Sequence, residues 1–322
     1  MIRKSAVTIS LLIVLIVCSS WGFFAHKHIN RMAVFTLPDG LIGFYKGNIN
    51  YITEHAVNAD KRRYADSLEA PRHFIDADRY GDTPFNSIPK KFNDACAKYG
   101  EQQVLASGTV PWQIEKTYYS LVRAFEERDS SRILRLSADL GHYVSDAHVP
   151  LHTTENYNGQ LSNQIGIHGF WESRLPELFA NEYDFFVGKA QYISDPLKTS
   201  WEIVKIAFAQ KDSVLKIEAR LSRSFRSDRK FAFSERNGKV VKQYSEEYSR
   251  AYHDAMKGMV EKQMRASVLA VASFWYSAWV DAGQPRMTNM PRKERTQKEK
   301  DEAQNEEQLY RQGKILGRSE ME

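Results

Sequence analysis

Apolar residues recur at intervals of three and four along most of the chain, and the alternating pattern typical of β-strands is nearly absent. An interval of this kind places apolar side chains on one face of a helix, where they can be buried together. We therefore predict an all-α fold, a single multi-helix domain. The predicted helices span residues 29–36, 41–56, 112–127, 131–147, 168–179, 196–209 and 245–280.

One segment, residues 230–241, departs from the helical pattern. Asn237 and Gly238 lie between two short runs that favour β-structure. Asn-Gly is the preferred pair for a two-residue type I′ turn, because both positions need a positive φ. The sequence predicts a small β-hairpin inserted into the helical domain.

The first residues have the layout of a secretory signal peptide. Arg3 and Lys4 precede an apolar stretch, residues 6–17, and small residues follow it before Trp21. The stretch is shorter than the roughly 20 residues that span a bilayer as a helix. We expect residues 1–20 to be removed and the mature protein, secreted or periplasmic, to begin at Trp21.

Cysteine positions bear on anchoring and on disulfides. Cys18 could be the lipidated residue of a lipoprotein signal, but the bulky Val17 stands where a small residue normally precedes that cysteine, so lipid anchoring is the less favoured alternative. Once Cys18 leaves with the signal, Cys96 has no partner for an internal disulfide. Stability in an oxidising compartment then has to come from packing and from metal binding.

Composition divides the rest of the chain at Gly283. Residues 284–322 are rich in Gln, Glu, Lys and Arg, so we expect a disordered or loosely helical tail and assign it no chemistry. The domain that carries the chemistry is then residues 21–283. A formal net charge of +5 and a pI near 8.9 slightly favour a phosphate-bearing substrate.

Two His-x-x-x-acid pairs predict a metal site in the middle of the chain. They are His142 with Asp146 and His168 with Glu172, and His152 lies between them. On a helix, residues four apart point to the same face about one turn apart. Such residues can instead cap helices or form surface pairs, but two pairs joined by a Pro-Leu-His turn favour metal. His and carboxylate ligands without cysteine are typical of catalytic zinc.

Further candidate ligands lie upstream, in the runs that end at His26 and Asp60 and in the run from His73 to Asp76. Together with the central segment, they resemble the superfamily of bacterial zinc-dependent phospholipases C and fungal and plant single-strand-specific nucleases of the S-one/P-one type. The resemblance covers about residues 21–179. It implies an all-α fold with three Zn²⁺ ions in a cleft, one of them chelated by the amino and carbonyl groups of an N-terminal Trp, here Trp21.

The resemblance also implies a set of nine ligands. One zinc would take Trp21, His26 and Asp146; a second Asp60, His73, His142 and again Asp146; the third His152, His168 and Glu172. Asp60 has nearby rivals in Asp66, Asp76 and Asp78.

The resemblance is mixed with respect to substrate. The His73-Phe-Ile-Asp76 run and Arg63 look like the nucleases, in which the equivalents contact base or phosphate. The short interval from His152 to His168 and the Glu at position 172 look like the phospholipases C. Phe74 and Asp76 are accordingly our candidate substrate-binding residues. Phe74 could stack on a base or belong to the core, and Arg63 could bind a phosphate oxygen or be a surface charge.

We therefore predict a secreted zinc-dependent hydrolase of phosphoric ester bonds, phospholipase C-like, in which metal-activated water is the nucleophile and Asp60, Arg63 and Asp146 are catalytic. No Gly-x-Ser-x-Gly motif suggests a serine nucleophile. A nuclease acting on single-stranded nucleic acid is the first alternative, and a non-catalytic zinc-stabilised binding protein is the second. A phospholipid substrate would bring transient contact with a membrane surface, and no protein partner is implied.

Overall fold

A computed structural model describes residues 23–236, 239–291 and 296–318 of the chain. The expected signal peptide and the predicted ligand Trp21 lie outside these residues. Within them, no helix combines the length and the hydrophobicity needed to cross a membrane.

Most of the described chain is helical, which confirms the all-α prediction. The α-helices are α1 (Phe23–Ala33), α2 (Asp39–Gly47), α3 (Ile49–Glu54), α4 (Asn58–Arg62), α5 (Pro84–Ser87), α6 (Phe92–Tyr99), α7 (Glu101–Ala106), α8 (Val110–Glu126), α9 (Ser130–Ala147), α10 (Ile167–Gly169), α11 (Leu175–Phe179), α12 (Pro196–Ser224), α13 (Glu246–Ala255), α14 (Met259–Asp281) and α15 (Gln297–Gln312).

Short 3₁₀ turns and one π-helical turn connect several of these helices. The 3₁₀ turns are Val34–Thr36, His55–Val57, Ala70–His73, Ala77–Tyr80, Pro150–Thr153, Ala180–Glu182 and Ser227–Arg229, and the π turn is Phe170–Arg174. Two of the 3₁₀ turns and the π turn carry predicted metal ligands.

One contiguous hydrophobic core joins α1, α8, α9 and α14. Within this core, the rings of Tyr45 and Trp275 stack with their centroids 4.9 Å apart. Both residues are also fixed to Ser137 of α9, because Tyr45 shares a 2.7 Å hydrogen bond with its hydroxyl and Trp275 donates to its carbonyl. Burial of large aromatic side chains stabilises this arrangement, and the hydrogen bonds hold α9 at a fixed place in it.

Helix boundaries differ from the predicted ones where backbone conformation overrides the apolar pattern. The helix predicted over residues 245–280 is broken into α13 and α14, because Lys257 and Gly258 have φ angles of 51° and 78°. A left-handed residue ends a right-handed helix. The helix predicted over residues 41–56 is divided into α2 and α3 at Asn48. In contrast, α12 continues to Ser224, well beyond the predicted end at residue 209.

The predicted hairpin is present. Strand β1 (Phe231–Arg236) pairs antiparallel with β2 (Lys239–Tyr244), and Arg236 is the partner of Lys239, so a two-residue connection joins the strands. The connecting residues Asn237 and Gly238 lie outside the described part of the chain.

The segment after Gly283 contains a regular helix, α15. A capping box begins it, in which the Thr296 hydroxyl accepts from the Glu299 amide while the Glu299 carboxylate accepts from the Thr296 amide. Such a cap satisfies two backbone donors at the helix start. Of the two predicted states of the tail, disordered or loosely helical, residues 297–312 are helical.

Candidate metal centre

Helix α9 carries the central residues of the site. His142 and Asp146 lie one turn apart, and their side chains are 0% and 1% exposed. His142 Nε2 is 3.2 Å from Asp146 Oδ2. The helix is buried on this side by α1 and by the 3₁₀ turn His55–Val57, so the two side chains point into the protein.

The first group of possible ligands consists of His26, His142 and Asp146. His26 comes from α1, and its Nε2 atom lies 3.3 Å from Asp146 Oδ1. Its ring stacks on the ring of His142 with centroids 4.0 Å apart. His26 Nε2 is also 3.2 Å from Glu172 Oε1, a contact that the sequence did not predict.

Asp60, His73 and His142 form the second group. Asp60 Oδ1 is 3.7 Å from His73 Nδ1 and 3.6 Å from His142 Nε2, and His73 Nδ1 is 2.9 Å from Asp146 Oδ2. Asp146 therefore lies between this group and the first, where the resemblance placed a bridging ligand.

The rival carboxylates of Asp60 lie elsewhere. Asp66 is partly exposed and accepts from the Leu68 amide, Asp76 pairs with Arg318, and Asp78 accepts from Thr154 and Glu155.

His152, His168 and Glu172 form the third group. Glu172 Oε2 lies 3.0 Å from His152 Nε2 and 2.6 Å from His168 Nε2. Glu172 belongs to the π turn, four residues before Pro176. A proline has no N–H to donate to the carbonyl four residues earlier, and its ring clashes with that carbonyl. Pro176 therefore accounts for the wider π turn at Glu172.

The spacing of these atoms fits metal ions. Zinc bonds of 2.0–2.1 Å in tetrahedral geometry separate neighbouring ligand atoms by about 3.3 Å. The contacts within the three groups bracket this value. Asp146 Oδ1, which is buried at the middle of these contacts, has no hydrogen-bond partner among the described residues. Buried polar atoms are rarely left unsatisfied, so such atoms point to a missing ligand.

The electrostatics of the cluster also call for cations. Burial would raise the pKa of Asp146, but the positive charge of His142 and His152 outweighs burial and holds that pKa well below its usual range. Burial likewise would lower the pKa of His152, but Glu172 and Asp146 raise it to about 10. The carboxylates therefore stay ionised, balanced here by protons on the histidines, which a bound metal ion would displace. Metal ions would then supply the balancing positive charge.

Hydrogen bonds from the outer ring nitrogens orient two of the histidines. His142 donates from Nδ1 to the carbonyl of Ala56 (2.8 Å), and His152 donates from Nδ1 to the carbonyl of His73 (2.8 Å). Each bond directs Nε2 into the cluster, where a metal ion would take the place of the Nε2 proton, and this is the arrangement that metal-binding histidines usually show.

Glu69 faces the outer ring nitrogen of His73 as a charge partner, and the sequence analysis missed it. Glu69 is fully buried, and its Oε1 atom lies 3.5 Å from His73 Nε2. Arg62, Arg72 and the Tyr143 hydroxyl all contact the same carboxylate. The acid-x-x-x-His spacing from Glu69 to His73 was a signal that could have identified it.

A pocket opens above the second and third groups. Its lining includes His73, His152 and His168, the predicted residues Arg63 and Phe74, and also Tyr157 and Arg318. Neither Tyr157 nor Arg318 was predicted. Arg318 comes from the tail, to which the sequence analysis assigned no chemistry.

The polar loop that precedes His168 is held in place from two sides. Asn158 Oδ1 accepts from the amide of Gly166 at 3.0 Å, and Gln164 donates to the carboxylate of Glu218 on α12. The wall of the pocket that Tyr157 provides is therefore attached to the helical core.

A family model described as zinc dependent phospholipase C matches residues 25–235, which include all the candidate ligands among the described residues. No curated protein matches the chain.

Proposed function

The chain belongs to the zinc-dependent phospholipase C family, and on that premise we propose that it is an exported hydrolase that holds three zinc ions and cleaves the head group from phospholipids. The observation that carries this proposal is the position of Asp146, which lies within 4 Å of His26, His73 and His142. A carboxylate that bridges two neighbouring metal ions must lie close to the ligands of both, and Asp146 meets this condition.

Bound zinc would activate water and neutralise charge on the phosphoryl oxygens of the substrate. The residues of the chain then have separate tasks. Asp60 and Asp146 balance the charge of the metal centre, and Arg63, which is 5% exposed in the pocket wall, is placed to donate to a phosphate oxygen. Phe74 and Asp76 lie where the rest of the substrate would sit.

A nuclease remains the second candidate, and one observation favours it. The guanidinium carbon of Arg318 lies 4.1 Å from the ring centroid of Phe74 and 3.4 Å from that of Tyr157. Two aromatic rings that flank a flat group in this way could also stack on a nucleobase, for which such contacts contribute about 1–3 kcal/mol.

Two assays test the proposal. Hydrolysis of bis(p-nitrophenyl) phosphate should be lost on chelation and regained with zinc, whereas a zinc-stabilised binding protein would show no turnover in either state. Side-by-side assays on phosphatidylcholine and single-stranded DNA then separate the two enzyme classes, and faster cleavage of DNA would overturn the phospholipase proposal.

Export and ligation by Trp21 are one further part of the proposal. An α-amino group has a pKa near 8 and can bind zinc once deprotonated, whereas a peptide nitrogen has no available lone pair. The exported protein should start at Trp21 by intact-mass analysis. A cytoplasmic form with one extra residue before Trp21 should fold but lose the zinc shared with His26. A lipidated start at Cys18, or full zinc content in the extended form, would contradict this part.

A further inference from the structure

Helix α15 is attached to the catalytic domain beside the metal centre. Tyr310, 5% exposed, packs against Tyr64 and Phe23 with ring centroids 5.1 and 6.1 Å apart. Lys61 adds a 3.2 Å ion pair with Glu307. The end of the helix is therefore fixed next to α1 and α4, which carry His26 and Asp60.

After Gly313 the chain turns back across the pocket. The turn has a φ of 73° at Gly313, in the left-handed region that glycine adopts readily. The amide of Leu316 then donates to the carbonyl of Arg63 at 2.9 Å, and Arg63 Nη2 donates to the carbonyl of Arg318 at 2.7 Å. We call residues 313–318 the strap.

The side chain of Arg318 enters the pocket. It donates to Asp76 Oδ1 at 2.8 Å and to the carbonyl of Thr154 at 3.2 Å, and its guanidinium lies between the rings of Phe74 and Tyr157. A charge-assisted bond and two cation–π contacts in a partly desolvated pocket make this a favourable position.

The strap contacts the side chains to which the substrate would bind. Arg63 is bonded to the strap backbone, while Asp76 and the face of Phe74 are in contact with Arg318. His73, His152 and His168 line the same pocket as Arg318. A phosphodiester cannot reach these groups while the strap is in place.

We propose that the strap is an autoinhibitory segment, in which Arg318 closes the pocket above the metal centre and must leave before substrate binds. The proposal rests on the proposed function only in taking this pocket as the place of catalysis. An intramolecular competitor lowers the fraction of molecules able to bind, so it raises the apparent KM and leaves kcat unchanged.

The test compares full-length Arg318→Ala with full-length Lys314→Ala. Lys314 is an exposed residue of the same strap, so its substitution removes the same charge without emptying the pocket. With bis(p-nitrophenyl) phosphate, Arg318→Ala should lower KM on the order of tenfold, which corresponds to a strap open in about one molecule in ten. Its kcat should stay unchanged, and Lys314→Ala should match the natural protein.

Two further measurements use the same proteins. Ethylguanidinium should inhibit Arg318→Ala competitively, because it can refill the vacated slot, and should inhibit the natural protein much less. Amide hydrogen exchange in residues 313–318 should be faster in Arg318→Ala than in Lys314→Ala, whether or not the protein has any activity.

A higher KM or a lower kcat in Arg318→Ala would overturn the proposal, since Arg318 would then assist the substrate. Unchanged exchange together with an unchanged KM would overturn it as well. If exchange becomes faster while no form of the protein hydrolyses a phosphodiester, the strap is supported and the proposed function is what fails.

Discussion

Gly141 of α9 faces Asn30 of α1 so closely that a β-carbon on Gly141 would lie 2.1 Å from the Oδ1 atom of Asn30. Asn30 is fully buried and donates from Nδ2 to the carbonyl of Ala138 at 3.2 Å, so it has little room to move. His26 lies one turn before Asn30, and His142 follows Gly141. Because position 141 has no side chain, α1 can pack closely against α9. This close packing brings His26 near His142 and Asp146.

Gly141→Ala should separate these two helices. We expect a loss of about 1–3 kcal/mol in the free energy of unfolding from overpacking, and a reduced zinc content because His26 is displaced. Denaturant unfolding and elemental analysis measure the two effects.

Gly43→Ala is the matched control. Gly43 is an exposed residue within α2, its φ is not positive, and nothing lies within 4 Å of the added β-carbon. Alanine there should stabilise the helix by about 0.5–1 kcal/mol. An equal response of the two variants would show that the contact between Gly141 and Asn30 does not position α1.

Glu69→Gln should weaken zinc binding at the group that contains His73. The amide loses the charge that attracts the Nε2–H of His73, and loss of such an outer partner typically lowers metal affinity 10–100-fold. Competition titration against a chelator measures the affinity without reference to activity.

Asp66→Asn is the control for Glu69, because Asp66 also faces Arg72, at 3.5 Å, but its side chain is 42% exposed and has no contact with a candidate ligand among the described residues. Its zinc affinity should be that of the natural protein. Unchanged affinity in Glu69→Gln would mean that the orientation of His73 does not depend on this carboxylate.

Local patterns predicted the fold class and much of the cluster. The i, i+4 spacing of His142 and Asp146 became a contact because a regular helix links them. The contact from His26 to Glu172 depends on how α1 packs against the π turn, which no local pattern encodes. The position of Arg318 is harder still to predict from the sequence. It depends on the turn at Gly313 and on the packing of Tyr310 against Tyr64.

Asp146→Asn should have the largest effect of any single ligand substitution. Asp146 lies near histidines of two groups, and the amide removes the charge that both depend on. We expect loss of more than one zinc and a drop in hydrolysis of at least 100-fold, which is about 2.7 kcal/mol in the barrier. Asp94→Asn, an exposed substitution on α6, is the control. Near-normal zinc content in Asp146→Asn would rule out a bridging role.

Glu218 should make folding stability depend on pH. Burial would raise its pKa, but hydrogen bonds from Tyr248, Gln164 and Lys230 hold the pKa below the usual 4.5. A lowered pKa in the folded state contributes stability above the unfolded value, and that contribution is lost as pH falls through the folded value.

Glu218→Gln should therefore cost about 1–2 kcal/mol at neutral pH, and the difference from the natural protein should shrink below about pH 4.5. Thermal unfolding followed across pH measures both effects. Glu182→Gln removes a solvent-exposed pair with Arg250 and should leave stability nearly unchanged at every pH. A difference that persists unchanged at pH 3 would exclude Glu218 ionisation as its source.

The number and position of the metal ions are the central claim, and anomalous diffraction from crystals of the exported protein at the zinc absorption edge tests it most directly. We predict three peaks, one beside His26 and Asp146, one between Asp60, His73 and His142, and one between His152, His168 and Glu172. A single peak, or none within the cluster, would contradict the trinuclear zinc centre.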